Sequence, residues 1–275
     1  MGTESNNSLA MLRIRILTSL RWRLLQPTPP AIETDVKEMI TLGSKYGRKS
    51  FLPLNPTREV TTVISGGVGE DISFDVEFAS RYECRIVLAD PSQPAIDHFK
   101  LVVASLGNEA TQEYSDSSRQ LVSSYNLSNV SQESFQFFPV GLWESNTTLD
   151  FFLPPDSTRD SSGSISGIHS FYKRTSKSHK IKVVTIKQLM ADSGLSSLNI
   201  LKLDIEGAGL EVVQQMFKDH IFPDQILIEI DEMHFPSLKS KSRAQKFFRL
   251  FKKNGYNLVS IDSCDFLYVR SDVLK

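Results

Sequence analysis

The chain reads as an α/β protein: a mostly parallel seven-stranded sheet with helices on both faces and an antiparallel C-terminal edge pair. Three observations carry this. Short apolar runs rich in Val, Ile and Leu alternate with helical stretches along the chain, the pattern of strands buried on both faces. One run, Val63-Ile64-Ser65, stops at Gly66-Gly67-Val68-Gly69 and gives way to a helical pattern from Ile72. The last two runs, 257–261 and 266–270, are separated only by a short turn and read as an antiparallel pair.

The elements follow in order. Residues 1–44 form a basic helical extension and linker, and 45–275 form the main domain. Up to Ile32 the only acid is Glu4, while Arg13, Arg15, Arg21 and Arg23 are basic and Leu12, Ile16, Leu20 and Leu24 recur at helical spacing. This basic helix over 9–25 is either a membrane-surface, partner or organelle-targeting segment, or a helix whose apolar face packs on the domain. Pro27, Pro29 and Pro30 end it. Residues 32–42 read as a short helix closed by Gly43, followed by a basic, aromatic loop, Lys45 to Phe51. Strands are expected at 63–66, 85–90, 135–143, 198–204 and 225–230. Helices are expected at 72–79, 94–106, 186–190, 211–217 and 244–254, the last stopped by Gly255. Residues 108–133 read as a long polar loop with one helical turn. Residues 148–153 pair with the third strand or a neighbouring loop strand. The Ser-, Gly- and Pro-rich stretch 154–180 reads as an inserted lid or binding loop, or as disorder.

Composition excludes several classes. At 275 residues, 40% hydrophobic and 23% charged, the chain has the make-up of a globular protein. A net charge of −1 gives no global field for nucleic acid. Two cysteines, Cys84 and Cys264, support neither a disulfide framework nor a cysteine zinc site, and favour a reducing, cytoplasmic setting. No apolar run is long enough to span a bilayer.

In sheets of this kind ligands sit beyond the carboxyl ends of the strands. Gly67, Val68 and Gly69 form a tight turn that lets backbone approach a ligand closely. Asp90 ends the next strand, twenty-one residues after Gly69, where a ribose-binding carboxylate belongs. Its alternative duty is to cap the helix after Pro91 and Ser92. The glycine pattern is not G-x-G-x-x-G: Ile72 stands where close packing would want a third glycine. Glu70 and Asp71 at the helix start would also repel phosphates. Both features disfavour a nicotinamide dinucleotide and suit a ligand with ammonium and sulfonium charge, as in S-adenosylmethionine. Lys202, Asp204 and Glu206 alternate at the end of a buried strand, an unusual cluster of charge that reads as an active-site rim or an internal ion pair. Glu229 and Asp231 repeat the pattern, with His234 beyond. These acids position a hydroxyl or hold a divalent ion, and the pattern assigns no metal.

The run Ser65 to Asp75, Ala89-Asp90-Pro91-Ser92, and Leu201-Lys202-Leu203-Asp204-Ile205-Glu206-Gly207-Ala208 together resemble the motifs of FkbM-type methyltransferases. Ile228-Glu229-Ile230 is similar to the fifth strand of that family, in which a histidine often stands two positions after the glutamate. Here that position is Asp231. The resemblance spans about residues 45–270 and implies a class I, Rossmann-like fold using S-adenosylmethionine to methylate hydroxyls of small molecules or glycans. It implies that Gly67, Gly69 and Asp71 hold the methionine part, Asp90 the ribose, and Gly141 and Leu142 the adenine side. Asp204 and Glu206 would then face the reacting centre, either one serving as base. The rival expectation is a non-catalytic scaffold that binds the same ligand. Tyr46, Trp143, His169 and Tyr172 are candidates for the acceptor pocket.

Overall fold

The computed structural model describes residues 24–34, 36, 38–54, 57, 59–153, 163–165, 177–234 and 237–274. The basic segment expected over 9–25 lies outside them, apart from Leu24 and Leu25, which are helical. The expected helix over 32–42 is not formed. Residues 31–34, 36, 38 and 39 have no regular structure, and Ile40–Leu42 is a strand, β1, paired antiparallel with β2, Lys49–Phe51. Ile40-Thr41-Leu42 is β-branched at two positions, and its partner strand supplies the hydrogen bonds that a short isolated helix would lack. The expected boundary between 44 and 45 falls inside this hairpin.

The main sheet has strands β3 (Thr61–Gly66), β4 (Cys84–Ala89), β5 (Phe135–Phe138), β9 (Ile200–Leu203), β10 (Gln225–Glu229), β11 (Tyr256–Asp262) and β12 (Asp265–Arg270). Its order is β11-β12-β10-β9-β3-β4-β5. The contacts from β10 through β9, β3 and β4 to β5 are all parallel, and β12 runs against both β10 and β11. The chain moves outward from β3 to β4 and β5, then returns to place β9 on the other side of β3. The topological switch point therefore lies between β3 and β9.

The third strand ends sooner than expected. β5 stops at Phe138, Pro139 follows, and Gly141–Leu142 opens a separate three-stranded sheet as β6. In it β8, Ser178–Val184, pairs parallel with β6 and antiparallel with β7, Thr147–Phe152. Residues 178–180, expected within the inserted loop, belong to β8.

Alternation along the strands divides the core. Ile64, Val87, Leu201, Ile226 and Ile228 join one apolar cluster with helices α3 (Ile186–Ser193), α4 (Gly209–Lys218) and α5 (Leu238–Lys253). Val63, Ile86, Leu88, Ile200 and Leu227 join another with α1 (Ser73–Arg81) and α2 (Gln93–Ala104). Thr185 caps α3 by accepting from the Gln188 amide, and Gly194 closes it at φ 68°. Helix α5 begins six residues before the expected Ala244, because Ser237 accepts from the Ser240 amide and caps it there. The polar loop 108–133 holds a 3-10 turn at 122–124, ends in another at 132–134, and is pinned by buried Tyr125, Leu127 and Val130. No helix of the described residues is long and apolar enough to cross a membrane.

The hairpin β1–β2 is tied to α1 by aromatic packing. Phe51, fully buried, meets Phe74 edge-on at 6.1 Å and Phe78 at 5.4 Å. Phe74, Phe78 and Tyr82 recur every fourth residue and so share a face. Phe51→Ala should therefore lower the unfolding free energy by roughly 3–5 kcal/mol, read from the denaturation midpoint in urea.

Candidate active site

A cavity opens at the carboxyl ends of β3, β4 and β9, beside the switch point. The structure brings to its wall all thirteen residues that the motifs nominated: Gly67, Val68, Gly69, Glu70, Asp71, Asp90, Pro91, Ser92, Gly141, Leu142, Lys202, Asp204 and Glu206. The turn that starts the wall is a glycine turn by necessity. Gly67 has φ 73°, and a Cβ there would lie 1.7 Å from the Asp204 carbonyl oxygen. Gly69 also has positive φ, 53°, but open space around it. Gly66 passes against Leu142, whose Cδ1 would be 2.5 Å from an added Cβ.

Asp90 braces this turn. One oxygen accepts from the Val68 and Gly69 amides at 3.0 and 2.9 Å, and the other accepts from Ser92 N at 2.8 Å. Ser92, not Asp90, is the N-cap of α2. A carboxylate offers about four acceptor sites, so these three bonds leave Asp90, itself on the cavity wall, with one more.

The two acids that open α1 are also engaged. Asp71 is buried and accepts from Ser44 Oγ at 2.6 Å, Ser73 N at 3.0 Å and Gln120 Nε2 at 3.3 Å. Ser44 Oγ in turn accepts from the Tyr46 and Gly47 amides. The segment 44–47 is thereby docked on the turn, with Tyr46 and Gly47 on the cavity wall. Glu70 pairs with Arg119 at 2.9 Å, and its carbonyl accepts from Gln120 N. The loop 115–120, featureless as sequence, is thus part of the site.

At the end of β9 the three alternating charges separate in role. Lys202 points inward, its Nζ 3.1 Å from Ser65 Oγ and 3.7 Å from the fully buried Asp75. Burial pushes the Asp75 carboxyl upward, and the Lys202 ammonium opposes that shift. Asp204 stays half-buried at the rim, 3.5 Å from Lys49 Nζ. Against burial, which alone would raise it, Lys49 holds Asp204 below the ordinary carboxylate range. Lys49 comes from β2 and also pairs with Asp265 at the start of β12. Glu206 has φ 49°, strained for a side chain, and follows Asp204 around the rim. Asp231 accepts from Gly207 N at 2.6 Å and fixes that turn.

Glu229 completes the group. The charge of Asp204, then burial, push its carboxyl up to about 9, and it is hydrogen-bonded to Asp204. His234 Nε2 lies 3.0 Å from Glu229 Oε1. Hydrogen bonds to Cys264 and Glu229 push His234 up to about 10. At neutral pH the neutral Glu229 acid donates to ionised Asp204, and two cations flank these carboxylates, Lys49 beside Asp204 and protonated His234 beside Glu229. Among the described residues no group of three or more His, Cys, Asp or Glu is placed to hold a metal ion.

The opposite wall is apolar. Leu142, Phe151, Ile165 and Ile181 line it, so the second sheet forms one side of the cavity. Gly163 also lines it, and Ser164 Oγ donates to the Glu206 carbonyl at 2.7 Å, so this described part of the insertion reaches the rim. Trp143 packs instead beside Phe151, Ile181 and Val183. His169 and Tyr172 lie outside the described residues. Lys49, like Arg119 and Gln120, is a residue that the sequence reading missed. Its signal was weak, because a lysine in a basic loop reads as solvated until the hairpin carries it across the sheet.

A seven-stranded sheet in which β12 alone is reversed, with its cavity at the switch point, places the molecule among the Rossmann-like methyltransferases. The chain matches the methyltransferase FkbM domain over residues 65–258, and it belongs to that family. No curated protein and no solved structure matches it.

The raised Glu229 sets a pH dependence. Folded, it keeps its proton to about pH 9. Unfolded, it releases it near pH 4.3, about the ordinary glutamate value. Across that window the native state binds the extra proton, so this group makes stability fall as pH rises, by at most about 1.4 kcal/mol per pH unit. Glu229→Gln keeps a neutral donor and removes the titration. Its melting temperature relative to the parent protein should rise steadily between pH 5 and pH 9 in thermal unfolding.

Proposed function

We infer that this methyltransferase uses S-adenosylmethionine to methylate a hydroxyl group on a small molecule or glycan. The carrying observation is Asp204, a carboxylate held ionised by Lys49 at the edge of a turn that brings bare backbone to the cavity.

The lining suits that cofactor. Glu70, Asp71, Asp90, Asp204 and Glu206 put five acids around the cavity against two lysines, and with Arg119 on Glu70, Lys49 shared by Asp204 and Asp265, and Lys202 turned to Asp75, the lining stays net acidic. That balance favours a cationic ligand and opposes a pyrophosphate. The backbone of Gly67, Val68 and Gly69, with Glu70 and Asp71, would hold the amino-acid end. Asp90 would offer its remaining acceptor site to the ribose, with Pro91 and Ser92 beside it. Gly141 and Leu142, backed by Ile181, would take the adenine. When bound, this group supplies a methyl carried on sulfonium.

The chain contributes position and charge. Asp204 accepts the acceptor's hydroxyl proton, and the neutral Glu229 beside it keeps the site from carrying two adjacent charges. Asp204 is favoured over Glu206 because Lys49 and Glu229 hold its carboxylate in place beside the glycine turn. Lys202 serves as a positioning residue, anchoring the end of β9 through Asp75. Holding the hydroxyl in line with the methyl supplies much of the rate.

S-adenosylmethionine and S-adenosylhomocysteine should each stabilise the protein, and NAD should not. At one hundred times the dissociation constant the gain is about 2.7 kcal/mol. That corresponds to a midpoint rise of roughly 5–10 °C in a thermal shift assay. Asp204→Ala should retain this ligand shift and lose methyl transfer to hydroxyl acceptors. Full turnover in that variant would refute the assignment.

A further inference from the structure

Helix α5 has sixteen residues, seven cations and no acid. Three of the cations are used within the protein. Arg243 turns inward to Glu211 and Glu232, Lys252 pairs with Glu33, and Lys241 donates to the Leu24 carbonyl at 3.1 Å. The other four, Lys239, Lys246, Arg249 and Lys253, are exposed, and among the described residues no acid pairs with them. Their spacings of seven, three and four put them in one stripe, roughly 21 Å long at the helical rise, opposite the buried face of Ser240, Ala244, Phe247 and Phe251.

Folding accounts for only part of this stripe: Lys253 lies in the last turn, where the helix dipole favours a cation, and the other three have no such reason. Lys239 and Lys241 sit in the first turn, where the helix dipole disfavours cations, and no acid offsets them. The whole chain has a net charge of −1, so these cations are gathered on one face rather than drawn from a general excess. At its start stands Leu238, 76% exposed, and Lys241 in the same first turn holds the carbonyl of Leu24, itself 68% exposed. The sequence leading into Leu24 adds Arg13, Arg15, Arg21 and Arg23 against the single acid Glu4.

We propose that the outer face of α5, with Leu238 and Leu24, docks the protein on an anionic membrane surface. Cations along one helix face attract acidic headgroups, and flanking leucines enter the acyl boundary. A single-stranded nucleic acid would call for aromatic side chains to stack on bases, and the stripe has none; the exposed leucines at its start favour a membrane over a duplex. Leu238 lies just past the turn that leaves β10 at its carboxyl end, the end of the sheet that holds the cavity. Docking along α5 lays this flank of the protein on the membrane, with the cavity end at the first turn of the helix. This surface is independent of the chemistry assigned to the cavity.

The test is sedimentation of the full chain with vesicles of phosphatidylcholine alone or mixed with phosphatidylserine. Binding should require phosphatidylserine and weaken as salt is raised. The triple variant Lys246→Gln, Arg249→Gln, Lys253→Gln should bind about a hundredfold more weakly, and Lys246→Gln alone about fivefold. Both should keep the parent melting temperature. Leu24→Ser with Leu238→Ser should weaken binding while leaving its salt dependence in place. The proposal is overturned if phosphatidylserine makes no difference, or if the triple variant binds like the parent. It is equally overturned if the stripe changes affect binding of an RNA homopolymer and not of vesicles.

Discussion

The backbone leaves β3 at Gly67 so close to the end of β9 that no side chain fits between the turn and the Asp204 carbonyl. The rest of the site follows from that approach. It sets Asp204 beside the glycine turn instead of one strand away. It also forces positive φ at Gly67, which turns the Val68 and Gly69 amides toward Asp90. One carboxylate then holds the turn from the neighbouring strand, and the ends of β3, β4 and β9 become a single rigid wall. Buried amides need acceptors, and Asp90 supplies them where a helix ladder has not yet begun.

A second constraint is electrostatic. Acids cluster at this end of the sheet, and they coexist only because their charges are managed individually. Lys49 serves Asp204 and Asp265, Lys202 serves Asp75, Arg119 serves Glu70, and Glu229 keeps its proton. Asp71 and Asp231 are satisfied by neutral donors. The outcome is a rim carried by Asp204, held ionised, and Glu206, with the other charges tied down behind them.

Much of this was legible in the chain. The glycine turn, Asp90 and the Lys202-x-Asp204-x-Glu206 run lie at strand ends, where local pattern and spacing carry the information. Less legible were contributions from far along the chain. Lys49 reaches Asp204 across 155 positions, and it does so from a strand that read as loop. Gln120 and Arg119 come from a polar stretch with no period, and only contact with Asp71 and Glu70 gives them a role. Residues 32–42 carried helical spacing in a segment too short to hold a helix by itself, so hairpin pairing prevailed and Ile40–Leu42 became β1.

By itself the sequence determined the alternation of strands and helices, the parallel core, and which strand ends carry acids, since these depend on residues within one element or its neighbour. The tertiary structure alone decided how the charges are shared. Lys202 and Asp204 are two residues apart, yet one faces inward to Asp75 and the other outward to Lys49. Pleating sends alternate side chains to the same face only while the strand lasts, and β9 ends at Leu203. Past that point the chain turns, and the partners that arrive from β2, β10 and β12 determine which charge is buried, which stays ionised and which keeps its proton.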